Sequence, residues 1–221
     1  MRVLTWNLFH GRSRPPAGRS LLNEFAGALA GWDWDVALLQ EVPPWWPPPL
    51  ARATGAEPHH VLTARNLGLS ARRAVAARNP DLAKSSGGGA NAILVRGGGA
   101  TAHNRERLAW WPERRVAHGI HLPSGWVVNL HASVRPLDRI PLDVERARLA
   151  ALRWAGGEPV IVGGDFNLRR PVLPGFEAAG AHWVDHVFAR GWTAADADVL
   201  DAGVLSDHRP VVVALTPSPS G

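Results

Sequence analysis

Two polar residues follow a buried-looking apolar run in the stretch "VIVGGDFNLRR". Asp165 and Asn167 come directly after Gly163-Gly164. If the extended backbone continues, residues two apart project from the same face of the strand. A local turn, in which an Asp or Asn side chain caps the strand end, would explain either residue but less easily both. The pattern therefore indicates a functional carboxylate and amide at the end of a strand.

Other polar residues also stand at the ends of apolar runs. Glu41 ends "VALLQE", and a carboxylate after a buried strand is costly unless it is solvated, paired or bound to a metal. Asp207 and His208 in "LSDHRP" place an acid beside an imidazole, although a polar turn prepared by Pro210 would also explain them. Two further candidates end strand-like runs, Asn7 in "VLTWN" and His131 in "VVNLH".

These residue types suit a hard, oxygen-seeking cation such as Mg²⁺ or Mn²⁺. A tetrahedral zinc site would need more nitrogen or sulfur ligands at short spacing, and the chain has no cysteine. A divalent ion beside Asp and His is also what phosphoester hydrolysis requires. The ion neutralises phosphate oxygens, a base prepares water, and imidazole or amide donors hold the developing charge.

The composition is that of an ordinary globular protein. The 221 residues predict one domain over residues 1–216, followed by a disordered tail over 217–221, and no apolar run is long enough to cross a bilayer. The net charge is +5, and Lys84 is the only lysine. Arginine makes forked contacts with phosphate, which favours a phosphate-bearing partner. A compositional bias towards arginine over lysine would also explain the charge. The absence of cysteine and of a signal-peptide core predicts a cytoplasmic protein.

The elements that must position these residues alternate between strands and helices. Several crossovers are helical, so we expect a mixed α/β or α+β fold with at least two sheet layers, in which the strand ends converge. Predicted strands are "RVLTWNLF", "DVALLQEV", "ANAILVR", "PVIVGGDFN", "HWVDHVFARG", "HRPVVVAL" and a hairpin of "RRVAHGIHL" with "WVVNLHAS". Predicted helices cover 20–31, 66–78 and 140–157, with a stiff proline loop at 43–50 and a flexible connector at 85–89.

Seven of these segments resemble, in the same order, the successive motifs of the endonuclease/exonuclease/phosphatase superfamily. They are "TWNLFHG", "LLQEV", "NAILVR", "VVNLHAS", "GGDFNL", "VDHVFARG" and "SDHRPVVVAL", and the resemblance as a whole runs from residue 3 to residue 215. The stretch 43–89 has no specific counterpart. The resemblance implies an α/β (α+β) fold that is a four-layered sandwich, with two mixed β-sheets packed face to face and flanked by helices.

The resemblance also implies roles for the strand-end residues. Glu41 would be the principal ligand of Mg²⁺ or Mn²⁺, with Asn7 and Asp207 near or on the ion. Asp165 and Asn167 would bind or orient the attacking water and the phosphate. His131 and His208 would contact the phosphate or transfer protons, in an order left open. Asp185 would hold His208, unless it only pairs with an arginine across the sheet.

The substrate is less defined. We predict a monomeric phosphodiesterase or nuclease acting on nucleic acid, with His10, Arg135 and Arg169 in contact with substrate. A phosphatase or phosphodiesterase for a small, inositol or lipid phosphoester is the alternative, and a non-catalytic phosphate-binding module is a third possibility. Trp45 and Trp46 could stack on bases or pack against the protein. The chain has no tyrosine where apurinic endonucleases carry one and has His131 instead, which favours the deoxyribonuclease, sphingomyelinase and deadenylase side.

Overall fold

A computed structural model describes residues 1–63, 69–83, 89–111 and 113–218. The first residues of the helix predicted over 66–78, most of the glycine-rich connector and the last three residues of the tail lie outside these ranges. Within them, no helix is both long enough and apolar enough to cross a membrane.

Twelve strands, five α-helices and a short 3-10 helix at Phe9–Gly11 make up the regular elements of the described chain. The strands are β1 (Arg2–Asn7), β2 (Val36–Val42), β3 (Ala56–Leu62), β4 (Ala90–Arg96), β5 (Ala102–Ala109), β6 (Arg115–Leu122), β7 (Gly125–His131), β8 (Val160–Asp165), β9 (Glu177–His182), β10 (Asp185–Arg190), β11 (Trp192–Val199) and β12 (Val211–Pro217). The helices are α1 (Leu22–Gly31), α2 (Pro47–Thr54), α3 (Leu69–Arg78), α4 (Pro80–Ala83) and α5 (Arg139–Ala155).

The strands form two mixed sheets of six. The first sheet has the order β11-β12-β1-β2-β4-β3, and the second has the order β5-β6-β7-β8-β10-β9. Each sheet contains one parallel pair near its centre, β1 with β2 and β7 with β8, and its other pairs are antiparallel. The carboxyl ends of four central strands therefore point towards one edge of the molecule.

Three apolar clusters hold four layers together. Residues such as Val3, Leu38 and Ile161 pack between the two sheets. Helices α1 and α2 cover the outer face of the first sheet through residues such as Phe25, and α5 covers the second sheet through residues such as Ala151. Each cluster buries side chains from neighbouring layers, which is the main source of stability of such a sandwich. The predicted four-layered fold is confirmed.

A buried polar network links the sheets just below the edge at which the four strands end. Gln40 donates from Nε2 to Asn129 Oδ1 at 2.9 Å, and Asn129 donates from Nδ2 to the Leu39 and Ala92 carbonyls at 3.0 and 2.9 Å. Gln40 and Asn129 are fully buried and lie in different sheets. Because unmade hydrogen bonds are costly in a low-dielectric interior, this network favours one relative position of the two sheets.

Two parts of the predicted secondary structure need correction. Residues 47–50 are not a loop but begin helix α2, because proline is tolerated in the first helical turn, where N–H groups have no intrahelical partner. Four strands were not predicted, namely β3, β5, β9 and β11. All four are polar or exposed over most of their length, and all four lie at sheet edges, so their residues do not show the pattern of a buried strand.

Candidate active site

The pairing of the strands brings the predicted residues to one edge. In the first sheet Asn7 lies opposite Gln40, so Glu41 is the next residue along the edge. In the second sheet His131 lies opposite Asp165 in the parallel pair, and Asp185 lies opposite Asp165 from the other side. Residues at the carboxyl ends of neighbouring parallel strands thus face a common space.

The loop before β12 closes this edge. Ser206 donates from Oγ to the Asn7 carbonyl at 2.6 Å, although 199 residues separate them in sequence. The His208 N–H in turn donates to Ser206 Oγ at 3.1 Å, and the Trp6 indole donates to the His208 carbonyl at 3.1 Å. These contacts fix the backbone that carries Asp207 and His208 against the end of β1.

Asp165 is the centre of the arrangement and is only 2% exposed. Its Oδ2 lies 3.0 Å from Asn7 Nδ2 and 3.4 Å from His131 Nε2, and its Oδ1 accepts from the Asn167 N–H at 2.9 Å. Burial, and then the charge of Asp185, raise the pKa of Asp165 to about 7 against the opposing contacts. A carboxylate of this kind can accept a proton near neutral pH.

His208 and Asp185 form a close pair beside Asp165. His208 Nδ1 lies 2.7 Å from Asp185 Oδ2, and His208 Nε2 lies 4.0 Å from Asp165 Oδ2. Burial opposes the charged imidazole, but the hydrogen bond to Asp185 and the carboxylate charges outweigh it and raise the pKa of His208 to about 9. Burial raises the pKa of Asp185, and the hydrogen bond with His208 opposes that rise. Asp185 therefore orients His208, as an acid does for an imidazole in many catalytic sites.

His131 differs from His208 in that its imidazole is neutral. Burial, followed by the charge of Arg115, lowers the pKa of His131 well below its usual value, so the ring is neutral. Arg115 lies 2.8 Å from His131 Nδ1 and can only donate, so Nδ1 accepts and the ring proton is on Nε2. Nε2 is buried without a hydrogen-bond partner and lies 3.9 Å from Glu41 Oε1. An N–H group therefore points into the space between Glu41 and Asp165.

Glu41 presents its carboxylate to this space. Its side chain is 20% exposed, and its Oε2 lies 3.1 Å from His10 Nε2. The strand pairing is irregular between Leu39 and Val42, and Glu41 has φ of 50°, so a bulge turns this side chain towards the site. Mg²⁺ and Mn²⁺ prefer carboxylate oxygens as ligands. The partly exposed Glu41 carboxylate therefore fits the expected cation.

A second grouping of possible ligands lies deeper. One atom each of Asp165, Asp185 and His208 fall within 4.8 Å of one another. Asp185 is 1% exposed and its Oδ2 already bonds His208, so these three groups are better suited to holding protons than to surrounding an ion. The more accessible Glu41 carboxylate is the better anchor for a hydrated cation.

Asn7 and Asp207 have other partners besides any ion. Asn7 accepts from the Phe9 N–H through Oδ1 and donates to Asp165 through Nδ2, so both ends of its amide are used. Asp207 Oδ2 lies 2.6 Å from Arg14. Arg14 and Arg115 are therefore site residues that the sequence did not reveal. Arg14 is 193 residues from Asp207, and only the folded chain brings the two together.

Strained backbone is concentrated at the same edge. Six non-glycine residues of the described ranges have positive φ, and five of them lie here: Phe9, His10, Glu41, Asn167 and Ser206. Such conformations cost on the order of 1–3 kcal/mol each and persist only where the surroundings impose them. Their clustering is typical of a functional site.

Two of the residues predicted to contact substrate are on the surface, and the two tryptophans of the proline-rich segment differ in burial. Arg135 and Arg169 are exposed, and the Arg169 guanidinium lies 5.1 Å from the centre of the Trp183 ring. Trp46 is 3% exposed and packs against Phe25, so it cannot stack on a substrate base. Trp45 is half-buried, 5.7 Å from the Arg73 guanidinium.

Comparisons with known proteins identify the family and the fold. A model of the Endonuclease/Exonuclease/phosphatase family matches residues 4–208. A search of curated proteins gives no match. A solved endonuclease/exonuclease/phosphatase of Beutenbergia cavernae is similar, with a TM-score of 0.74 at 18% identity, over 98% of this chain and 71% of that one.

Two further solved structures share the fold. The mannosyl-6-phosphatase of Bacteroides thetaiotaomicron has a TM-score of 0.74 at 16% identity, over 98% of this chain and 99% of that one. A humanized TDP2 of D. rerio has a TM-score of 0.66 at 15% identity, over 98% of each chain. At these identities the likeness concerns the fold and not the substrate.

Proposed function

The chain belongs to the endonuclease/exonuclease/phosphatase family, whose members hydrolyse phosphoester bonds and generally use a divalent metal ion, and we propose that it is a Mg²⁺- or Mn²⁺-dependent phosphodiesterase that cuts nucleic acid.

The observation that carries this proposal is the set of donors around one carboxylate oxygen. Asp165 Oδ2 has Asn7 Nδ2, His131 Nε2 and His208 Nε2 at 3.0, 3.4 and 4.0 Å. The Glu41 carboxylate also faces His131 Nε2, with Oε1 at 3.9 Å. A water held by Asp165 and a phosphate held by the imidazoles would then lie side by side, which is the arrangement that in-line hydrolysis needs.

The residues divide the reaction between them. Glu41 would hold the ion, with Asp207 and Asn7 beside it, and the ion when bound neutralises charge on the phosphate oxygens. Asp165 takes a proton from water as the water oxygen bonds to phosphorus, and the bond from phosphorus to the leaving oxygen breaks. His131 and His208 supply the N–H groups that bind the phosphate and the proton that the leaving oxygen receives. Asn167 and Asp185 position Asp165 and His208.

The preference for nucleic acid rests on charge. The net charge is +5 and is carried almost entirely by arginine, which binds phosphate in a forked geometry. Arg135 and Arg169 are exposed and follow the site residues His131 and Asn167 closely in sequence, and none of the described acidic residues forms an ion pair with either of them. A polymer with a phosphate at every unit would meet several of these groups at once.

A small phosphoester is the second candidate. A cavity of about 520 Å³ adjoins the segment after His131 and is lined by Arg135, Arg139, Trp111 and Leu137. A cavity of this size suits a single phosphorylated molecule. This candidate predicts turnover of monoesters, which the nuclease proposal does not require.

A substrate panel tests the proposal. Plasmid, single-stranded DNA, RNA, a sugar phosphate and bis-para-nitrophenyl phosphate would be assayed with Mg²⁺ or Mn²⁺ and again with chelator. We expect metal-dependent cleavage of a nucleic acid, and losses of at least about a hundredfold in Glu41→Ala, Asp165→Ala and His208→Ala. Arg190→Gln, an exposed change at the opposite end of β10, is the control. Activity on the diester with no nucleic acid cleaved would refute the nuclease assignment alone.

We also propose that the protein is a monomer of the cytoplasm. Light scattering coupled to gel filtration tests the first statement, since a mass near twice 23.8 kDa would refute it. Fractionation of the producing cells tests the second.

A further inference from the structure

A second cavity lies beside the candidate active site, between the edge strands of the two sheets. It has a volume of about 530 Å³. β3 of the first sheet contributes His60, and β5 of the second sheet contributes His103 and Arg105. Asn104 of β5 and Arg114, just before β6, are its other polar lining residues. None of the predicted site residues lines it, so the nuclease proposal leaves this cavity without a role.

The lining of this cavity is basic. It contains two arginines and two histidines and no acidic residue. Among the described residues, the side chains of Arg105 and Arg114 have neither an ion-pair nor a hydrogen-bond partner, and the Nε of Arg114 is buried without one. A buried guanidinium nitrogen without an acceptor is costly, and an anion in the cavity would supply that acceptor.

The histidines report the same positive potential. Burial, followed by the charges of His59, His60 and Arg105, lowers the pKa of His103. Burial and the charge of His59 lower the pKa of His60. Burial is the larger cause in both cases, and the smaller contribution of neighbouring positive charge has the sign that favours an anion.

The cavity is close to the site of cleavage. Leu62, which also lines the cavity, pairs with Ala90, and Ala90 pairs with Val42, the neighbour of Glu41. Two strand spacings, about 10 Å in all, therefore separate Leu62 from Val42. On the second sheet, Arg114 directly precedes Arg115, whose guanidinium contacts His131. A separation of about 10 Å is short enough for one nucleic-acid strand to reach both the site of cleavage and the cavity.

We propose that the cavity between β3 and β5 binds a backbone phosphate of the nucleic-acid strand that is cut, a few nucleotides from the scissile bond. Arg105 and Arg114 provide the charge, and His60 and His103 provide further hydrogen-bonding groups. This inference rests on the proposed nuclease function and names a substrate-binding site for it.

The test compares two double variants with the same loss of charge. Arg105→Gln/Arg114→Gln removes both cations from the cavity. Arg52→Gln/Arg190→Gln is the matched control, because both arginines are exposed, lie on α2 and at the far end of β10, and do not line the cavity. Each variant would be assayed on oligonucleotides of 2 to 12 nucleotides and on bis-para-nitrophenyl phosphate. Binding of the 12-mer in chelator would be followed by fluorescence anisotropy at several salt concentrations.

We expect the cavity variant to raise KM for the 12-mer about tenfold, with kcat unchanged. The slope of log affinity against log salt should fall by about one, as it does when one phosphate contact is lost. Turnover of the dinucleotide and of the small diester should stay within about twofold of wild type, which also shows that the variant folds.

Two outcomes would overturn the proposal in distinguishable ways. If nucleic acid is cleaved and the cavity variant matches the control variant, the cavity does not bind substrate, while the nuclease function stands. If the wild-type protein hydrolyses the small diester but neither binds nor cleaves any oligonucleotide, both proposals fail together.

Discussion

Substitution of Gly164, the residue before Asp165, tests how closely the backbones of β7 and β8 approach each other beside the site. Gly164 has φ of 142°, a conformation that side-chain-bearing residues rarely adopt, and lies opposite Leu130 in the parallel pair of β7 and β8. A Cβ added at Gly164 would lie 2.0 Å from the Leu130 carbonyl oxygen and 2.9 Å from its carbonyl carbon. The clash is with backbone, so no side-chain rotation relieves it. We therefore expect Gly164→Ala to force the two central strands apart.

The expected loss of stability has two parts. Strain from an unfavourable φ costs on the order of 1–3 kcal/mol. Overpacking of a close-packed region typically costs about 1–3 kcal/mol more. The sum is about 4 kcal/mol in the middle of the range, a large share of the roughly 5–15 kcal/mol by which domains are stable. For a chain of this size each kcal/mol lowers Tm by about 2–4 °C, so we expect a fall of about 12 °C.

The measurement is thermal and urea unfolding followed by circular dichroism. Gly55→Ala is the matched control, because Gly55 also has positive φ, 67°, but a Cβ there would meet nothing within 4 Å. The free energy of unfolding of Gly55→Ala should fall only by the cost of the unfavourable φ, about 1 kcal/mol. Equal losses in the two variants would refute the close-contact explanation. The same experiment tests positioning, since the folded fraction of Gly164→Ala should also lose turnover as Asp165 shifts relative to His131.

Three further predictions follow from particular contacts. Asp185→Asn should lower kcat at least about a hundredfold with little change in Tm, because it removes the charge that holds His208; an unchanged kcat would contradict this role. Trp46→Ala should lose about 3–5 kcal/mol in urea unfolding, whereas Trp45→Ala, at a half-buried position, should lose clearly less; equal losses would contradict the packing of Trp46. Burial, then the charge of His103, holds the pKa of His118 well below its usual value, so the unfolded chain binds the extra proton and stability falls as pH drops below about 6.5. His118→Phe should reduce that fall by up to about 1.4 kcal/mol per pH unit, and an unaltered slope between pH 7.5 and 5.5 would refute the assignment.

The central strands and the residues that end them were predictable for a physical reason. Strands such as β2 and β8 are buried on both faces, so their sequences are continuous apolar runs, and any polar residue that ends such a run stands out. Asp165 and Glu41 were found in this way. The edge strands were not found, because β11 exposes nearly every residue and β3 contains Pro58. Such strands carry no pattern that distinguishes them from loops.

The contacts that tune the site could not be predicted from sequence. Arg115 sets the proton of His131, and Arg14 pairs with Asp207, yet neither arginine differs in its local sequence from the many others of this chain. Which arginine reaches which site residue depends on strand register and on loops that meet only in the folded chain. The bulge that turns Glu41 was hidden for the same reason, since its φ is imposed by pairing with β4 and not by residue type.

The position of Asp165 is set by backbone more than by side-chain packing, and this explains the two glycines before it. A Cβ on Gly163 would lie 2.6 Å from Leu38 of the facing sheet, and one on Gly164 would meet the backbone of β7. The space that the glycines leave is thus filled by neighbouring strands and not by substrate. Close approach on both sides brings Asp165 within reach of Asn7 in one sheet and of His131 in the other. A site assembled from two sheets needs the distance between the sheets to be fixed at the site. The buried hydrogen bond between Gln40 and Asn129 fixes that distance just beneath Asp165.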